Sequence, residues 1–344
     1  MGYNKVNYGL AVLKMFMCFE VVLIHFWNDT DYSSMLTPFM LLRNFAVPTF
    51  MLISFILGEK LFERMDPTSI KRRIWRLFWP QLGMAVIYWS FYNLLYICTR
   101  VGNVCSIKAL LWQIATGTSE GLNPTMWYTT VLIFLTILFW IIWYLFKGNK
   151  GIVIMCILLV SSLILQYTGV NFILFNNLRY ELKYPFGRCI EMMPYAVIGF
   201  LIMYYKVYER LEKDRYRILL GALVLTGVLF FSFRRMPNIT KINGFGYAGI
   251  YLIAMAVLIT TIAYYFPFQK FPQIIQNLIV VLTKYTLGIY CMHRLVGKCM
   301  ILVFERMGIE VGTFAMCICI YILCYGFSAL ISHIPTKMAK HLVE

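Results

Sequence analysis

Apolar residues run in long blocks along this chain, and polar residues gather between the blocks. A helix needs about 17–25 mainly apolar residues to cross roughly 30 Å of hydrocarbon. Ten blocks meet that length, at roughly 8–27, 39–61, 75–98, 126–146, 151–168, 189–205, 217–233, 245–266, 280–304 and 311–333. Barrel strands would alternate apolar and polar positions instead of running as continuous blocks, so a β-barrel is excluded. The segment 105–115, CSIKALLWQIA, is too short to cross and predicts an interfacial or re-entrant amphipathic helix. The expected fold class is therefore all-α: a polytopic integral membrane protein with about ten transmembrane helices. No long polar stretch or internal repeat divides the blocks. Residues 1–344 are expected to form a single membrane-embedded domain with no appended soluble domain.

Composition narrows the function class. Hydrophobic residues make up 61% of the chain and charged residues 13%, against about 45–50% and about 25% in an ordinary soluble domain. Mean hydropathy is +0.73. Too little polar surface is available to coat a solvated domain, which excludes a cytoplasmic enzyme, a nucleic-acid binder and a disordered protein. The net charge of +16 is accordingly read as topology control and contact with membrane lipids. Lys60, Arg64, Lys71, Arg72, Arg73, Arg76 and the run from Lys206 to Arg217 fall on the same side as the N-terminus, and the other side carries fewer basic residues. This bias predicts both termini in the cytoplasm. The ten cysteines lie mostly inside apolar blocks and lack metal or disulfide spacing, so no metal site is expected. The first block is too long, and too rich in ionisable groups, for a cleavable leader.

Those ionisable groups are the candidate chemistry. A charge inside a span costs at least about 2.5–3.5 kcal/mol, which marks it for function. The first block holds Lys14, Glu20 and His25. At 100° per residue, Lys14 and His25 lie only about 20° apart on the helix wheel and about 16 Å apart along the axis. His25 can also be read as an idle residue near the outer interface. In KRRIWRLFWP (71–80), Arg72 and Arg76, or Arg73 and Arg76, can project together. Arginine suits bidentate phosphate recognition, though a lipid-facing anchor has the same composition. The ninth block gathers Lys284, Tyr290, His293, Arg294 and Lys298, which predicts a polar cavity along it. Arg188 and Glu191 are i,i+3 and can pair with each other, or Glu191 can orient His25. Trp127 and Tyr128 fit interfacial anchors.

In this order, these residues resemble the acyltransferase-3 family of membrane-bound acyltransferases. The family's first-span signature is an Arg, ten residues, then a His; here Lys14 stands in the Arg place and His25 in the His place. PTFMLISFIL (48–57) echoes its second-span phrase, with Ser54 matching and no Gly following. Its paired arginines match Arg73 and Arg76. Its hydrophobic-Trp-Tyr segment matches Met126-Trp127-Tyr128, and its late Ser-x-x-Ile-Tyr-x-x-His phrase matches TLGIYCMH, ending at His293.

The resemblance implies transfer of an acyl group, usually acetyl from acetyl-CoA, to a hydroxyl of an extracytoplasmic glycan or lipid-linked sugar at a bacterial cell (inner or plasma) membrane. It implies His25 and Lys14 in catalysis, with His25 as the base or as an acylated nucleophile; Glu191, by its own place in the chain, is the candidate catalytic group that would orient His25. Arg72, Arg73, Arg76 and Lys14 would hold the donor. Trp127, Tyr128, Arg188, Tyr290 and His293 would line the acceptor side. The competing class is a transporter or flippase for a glycan or organic anion, whose path buried cations also line. Repeated halves and paired broken helices, which such a carrier would favour, are not evident in the sequence.

Overall fold

The computed structural model describes residues 7–26, 45–64, 66–100, 104–119, 122, 126–168, 180–235 and 249–333. Twelve main helices follow one another. These are α1 (Tyr8–Phe26), α2 (Ala46–Ile56), α3 (Pro67–Thr99), α4 (Ile107–Thr116), α5 (Trp127–Leu145), α6 (Asn149–Tyr167), α7 (Tyr180–Tyr204), α8 (Arg215–Arg235), α9 (Ile250–Tyr265), α10 (Gln273–Lys284), α11 (Thr286–Met307) and α12 (Thr313–Ser332). Among the described residues, nine helices are long and apolar enough to cross a membrane, and no strand occurs. The protein is an all-α polytopic membrane protein, as the hydropathy pattern predicts.

The second expected span, 39–61, is represented by α2, whose preceding residues 39–44 lie outside the described residues. So do residues 245–248 of the eighth span, and residues 1–6 and 334–344, to which the cytoplasmic assignment of the termini refers. The expected short helix at 105–115 is α4, which Ser106 caps by accepting from the Ala109 amide at 3.1 Å. One span is corrected. The apolar run 280–304 is not a single helix but breaks at Tyr285 into α10 and α11. The Thr286 hydroxyl donates to the Thr283 carbonyl at 3.0 Å, and the buried Tyr285 ring sits edge-on to Tyr325 of α12. Lys284 therefore ends a short amphipathic helix and does not share the span of His293.

The core lies where α1, α2, α5, α7 and α11 meet. Close helix contact here depends on small residues: a Cβ at Gly199 of α7 would fall 2.6 Å from the Leu52 carbonyl oxygen of α2. Phe55, Phe139, Phe200 and Trp143 pack beside this contact in tilted and edge-on pairs, with Phe55 and Phe139 ring centres 4.8 Å apart. By contrast, α6 and α8 turn large aliphatic side chains outward, including Val153, Ile157, Leu220 and Val224, as lipid-facing helices do. At 33 residues, α3 is about 50 Å long and exceeds the hydrocarbon thickness. Its charged residues Lys71, Arg72, Arg73 and Arg76 lie in its first turns. Asp66 caps it, accepting from the Thr68 amide at 2.9 Å, and Pro67 fills its first position.

Candidate active site

α1 carries Lys14 in its second turn and His25 in its last, on one face of the helix. α11 brings Tyr290, His293 and Arg294 against the His25 end. The His25 and His293 rings stack with centroids 5.1 Å apart and planes 22° apart. Arg294 donates from Nη2 to Nδ1 of His25 at 3.1 Å. His293 is fully buried; its Nδ1 lies 2.6 Å from the Tyr290 carbonyl oxygen, and its Nε2 has no hydrogen-bond partner among the described residues. Phe26 stands edge-on to His293, and it reaches there because residue 297 is Gly: a Cβ would lie 2.1 Å from Cζ of Phe26.

The stretch of α11 beneath this pair is held from α3. The fully buried Tyr88 hydroxyl donates to the Cys291 carbonyl at 3.1 Å and accepts from the Leu295 amide at 3.0 Å. Those two backbone groups are i→i−4 partners, so the hydroxyl stands in the helix ladder beside His293 and Arg294.

A line of contacts runs from the histidines to the cations of α3. Tyr290 meets Tyr128 edge-on at 5.7 Å. The Tyr128 hydroxyl lies 3.3 Å from that of Ser54, and Arg73 donates to the Ser54 carbonyl at 2.9 Å. Arg73 and Arg76 both lie within electrostatic range of Lys14. Among the described residues no carboxylate pairs with Lys14. Arg72 is exposed, whereas Arg73 is half-buried.

Beside this line, Arg188 lies over the rings of Trp127 and Tyr184, at 5.1 and 4.9 Å from their centroids. It also pairs with Glu191 at 2.6 Å.

The chain matches the model of the acyltransferase-3 family, described as an acyltransferase domain, over residues 7–333. It belongs to the acyltransferase-3 family. The protein is thus a multi-pass membrane acyltransferase. No curated protein and no solved structure matches it.

Within this acyltransferase, most of the sequence candidates come together: Lys14, Arg73 and Arg76 at one end of the line, Tyr128 and Tyr290 between, and His25 and His293 at the other. Of the two readings open for Glu191, the structure shows the pair with its i,i+3 neighbour Arg188, and the group on His25 Nδ1 is Arg294. One placement differs from expectation. Trp127 and Tyr128 are buried and are not lipid-facing anchors. Sequence reasoning counted Arg294 among the cavity-lining residues without giving it a partner, and it left Tyr88 without a role. The charge of Arg294 inside an apolar block was a usable signal, but a single Tyr in an aromatic-rich helix offered none.

Proposed function

We propose that this acyltransferase moves an acetyl group from cytoplasmic acetyl-CoA to a hydroxyl of a surface polysaccharide or lipid-linked sugar at a bacterial cell membrane. One observation carries the reading: the continuous line from a cation cluster, through Ser54, Tyr128 and Tyr290, to two stacked imidazoles. Lys14 and Arg73, with Arg72 and Arg76 more exposed, suit the phosphates of an acyl-CoA, because clustered like charges without carboxylate partners among the described residues favour a polyanion. The positive-inside bias puts that cluster on the side where acyl-CoA is made.

The pantetheine arm would extend along Tyr128 and Tyr290, bringing the thioester to the histidines. There the acceptor hydroxyl attacks the thioester carbonyl while an imidazole takes its proton. Trp127 and Arg188, stacked together and anchored by Glu191, offer a ring face and a cation to the incoming sugar.

The test is a purified-protein assay in lipid nanodiscs. Acetyl-CoA should be slowly hydrolysed to free CoA without an acceptor, and transfer should speed up when the right glycan is added. Mass spectrometry of surface glycans with and without the gene would identify the added group and its acceptor. Absence of CoA release and of any glycan mass change would refute the reading.

A further inference from the structure

The hydrogen bonds around the two stacked rings divide the proton chemistry between them. A guanidinium has donors only, so the Arg294 contact at 3.1 Å requires Nδ1 of His25 to accept. His25 is then a neutral ring with its proton on Nε2, because an imidazolium has no lone pair to offer Arg294. A backbone carbonyl can only accept, so the 2.6 Å contact to the Tyr290 oxygen requires Nδ1 of His293 to carry its proton. The lone pair of His293 is left on Nε2, the buried nitrogen without a partner among the described residues. The tautomer of each ring is set by the bond its other nitrogen makes. The two rings are therefore of opposite tautomer, one a donor and the other an acceptor.

We propose that His293 of α11 is the general base of the transfer and that His25 of α1 is the hydrogen-bond donor to the thioester oxygen, with Arg294 as the positioning residue that fixes the His25 tautomer. This rests on the acyl-transfer reading given above and reverses the base role that the family resemblance implies for His25. As the acceptor oxygen bonds to the thioester carbonyl carbon, its proton passes to Nε2 of His293. The carbonyl oxygen gains negative charge, which the Nε2–H of His25 stabilises. The C–S bond then breaks, its electron pair stays on sulfur, and the His293 imidazolium returns the proton to give free CoA thiol and the acylated hydroxyl.

The chain has four histidines, so nitrogen-15 spectra of histidine-labelled protein in nanodiscs can be assigned with one His→Gln variant per site. His25 should show a protonated Nε2 and an unprotonated Nδ1, and His293 the reverse. Arg294→Met should release the His25 tautomer without altering that of His293.

Activity gives an independent arm. The Gln side-chain amide places its N–H near where Nε2–H sits, so His25→Gln should stay within about tenfold of wild type. His25→Ala, which removes the donor, should lose about 10²–10³-fold in kcat. His293→Gln has no base and should lose about 10²–10⁴-fold. A protonated Nδ1 on His25, or His25→Gln as inactive as His25→Ala, would overturn the assignment. If no acyl transfer occurs with any acceptor, the functional reading fails, while the spectra still decide the tautomers. A variant that fails to fold leaves the wild-type spectrum, in which two buried rings of the same tautomer would also overturn the proposal.

Discussion

Arg73 donates to the backbone carbonyl of Ser54 at 2.9 Å, so one cation of the α3 cluster is turned into the helix bundle and not toward lipid headgroups. Its neighbour Arg72 is exposed. The two arginines, adjacent in sequence, should separate in experiment. Arg73→Ala should weaken acetyl-CoA binding by about 1.5–3 kcal/mol, the scale of a charge-assisted contact, and Arg72→Ala should change it far less. Isothermal titration with acetyl-CoA reads both; equal effects would make the cluster a generic anchor.

Lys14 is expected to act through charge, because no carboxylate among the described residues pairs with it and two arginines lie within its field. Lys14→Arg should retain most of the activity, and Lys14→Met should raise KM for acetyl-CoA about tenfold or more. Identical donor affinity in all three forms would remove Lys14 from the donor site.

Tyr88→Phe deletes the hydroxyl that bonds both Cys291 and Leu295. Leaving buried backbone partners short of a bond should cost about 1–3 kcal/mol, read as a lowered Tm in a thermal-shift assay. Because the bonded stretch of α11 carries His293 and Arg294, kcat should fall more than KM rises. An unchanged kcat would confine Tyr88 to packing.

Asp66 offers a pH test outside the membrane-spanning segments. Hydrogen bonds from the Thr68 hydroxyl and amide, and from Ser69, hold its carboxyl below the ordinary value of 3.8. A carboxylate whose folded pKa is depressed contributes stability that is complete above the unfolded pKa and is lost as pH falls through the folded one. The Tm difference between wild type and Asp66→Ala should therefore hold steady from neutral pH to about pH 4 and shrink below it. A difference that persists unchanged into stronger acid would mean that the charge of the cap is irrelevant.

Most of the architecture was readable from hydropathy, because each long helix had to satisfy its own backbone and cover itself with apolar side chains. The break at Tyr285 was not readable. Thr283, Lys284 and Thr286 interrupt the apolar run too lightly for a hydropathy window, and the turn depends on a hydroxyl–carbonyl bond and on packing against α12. Within the site, helical periodicity placed Lys14 and His25 on one face, and i,i+3 spacing gave Arg188 to Glu191. The bonds from Arg294 to His25 and from Tyr88 into α11 join residues far apart in the chain, and no local pattern encodes them.

That distance has a consequence for biosynthesis. His25 enters the membrane with the first helix, but its stacking partner and the guanidinium on its Nδ1 arrive 268 and 269 positions later, respectively, with α11. Until that late helix is inserted, the early half of the protein holds a lone imidazole and a cation cluster with no second ring to meet. A nascent or truncated chain ending before α11 thus lacks the paired rings, and a ribosome that stalls midway leaves in the bilayer a fragment in which His25 has neither of these partners.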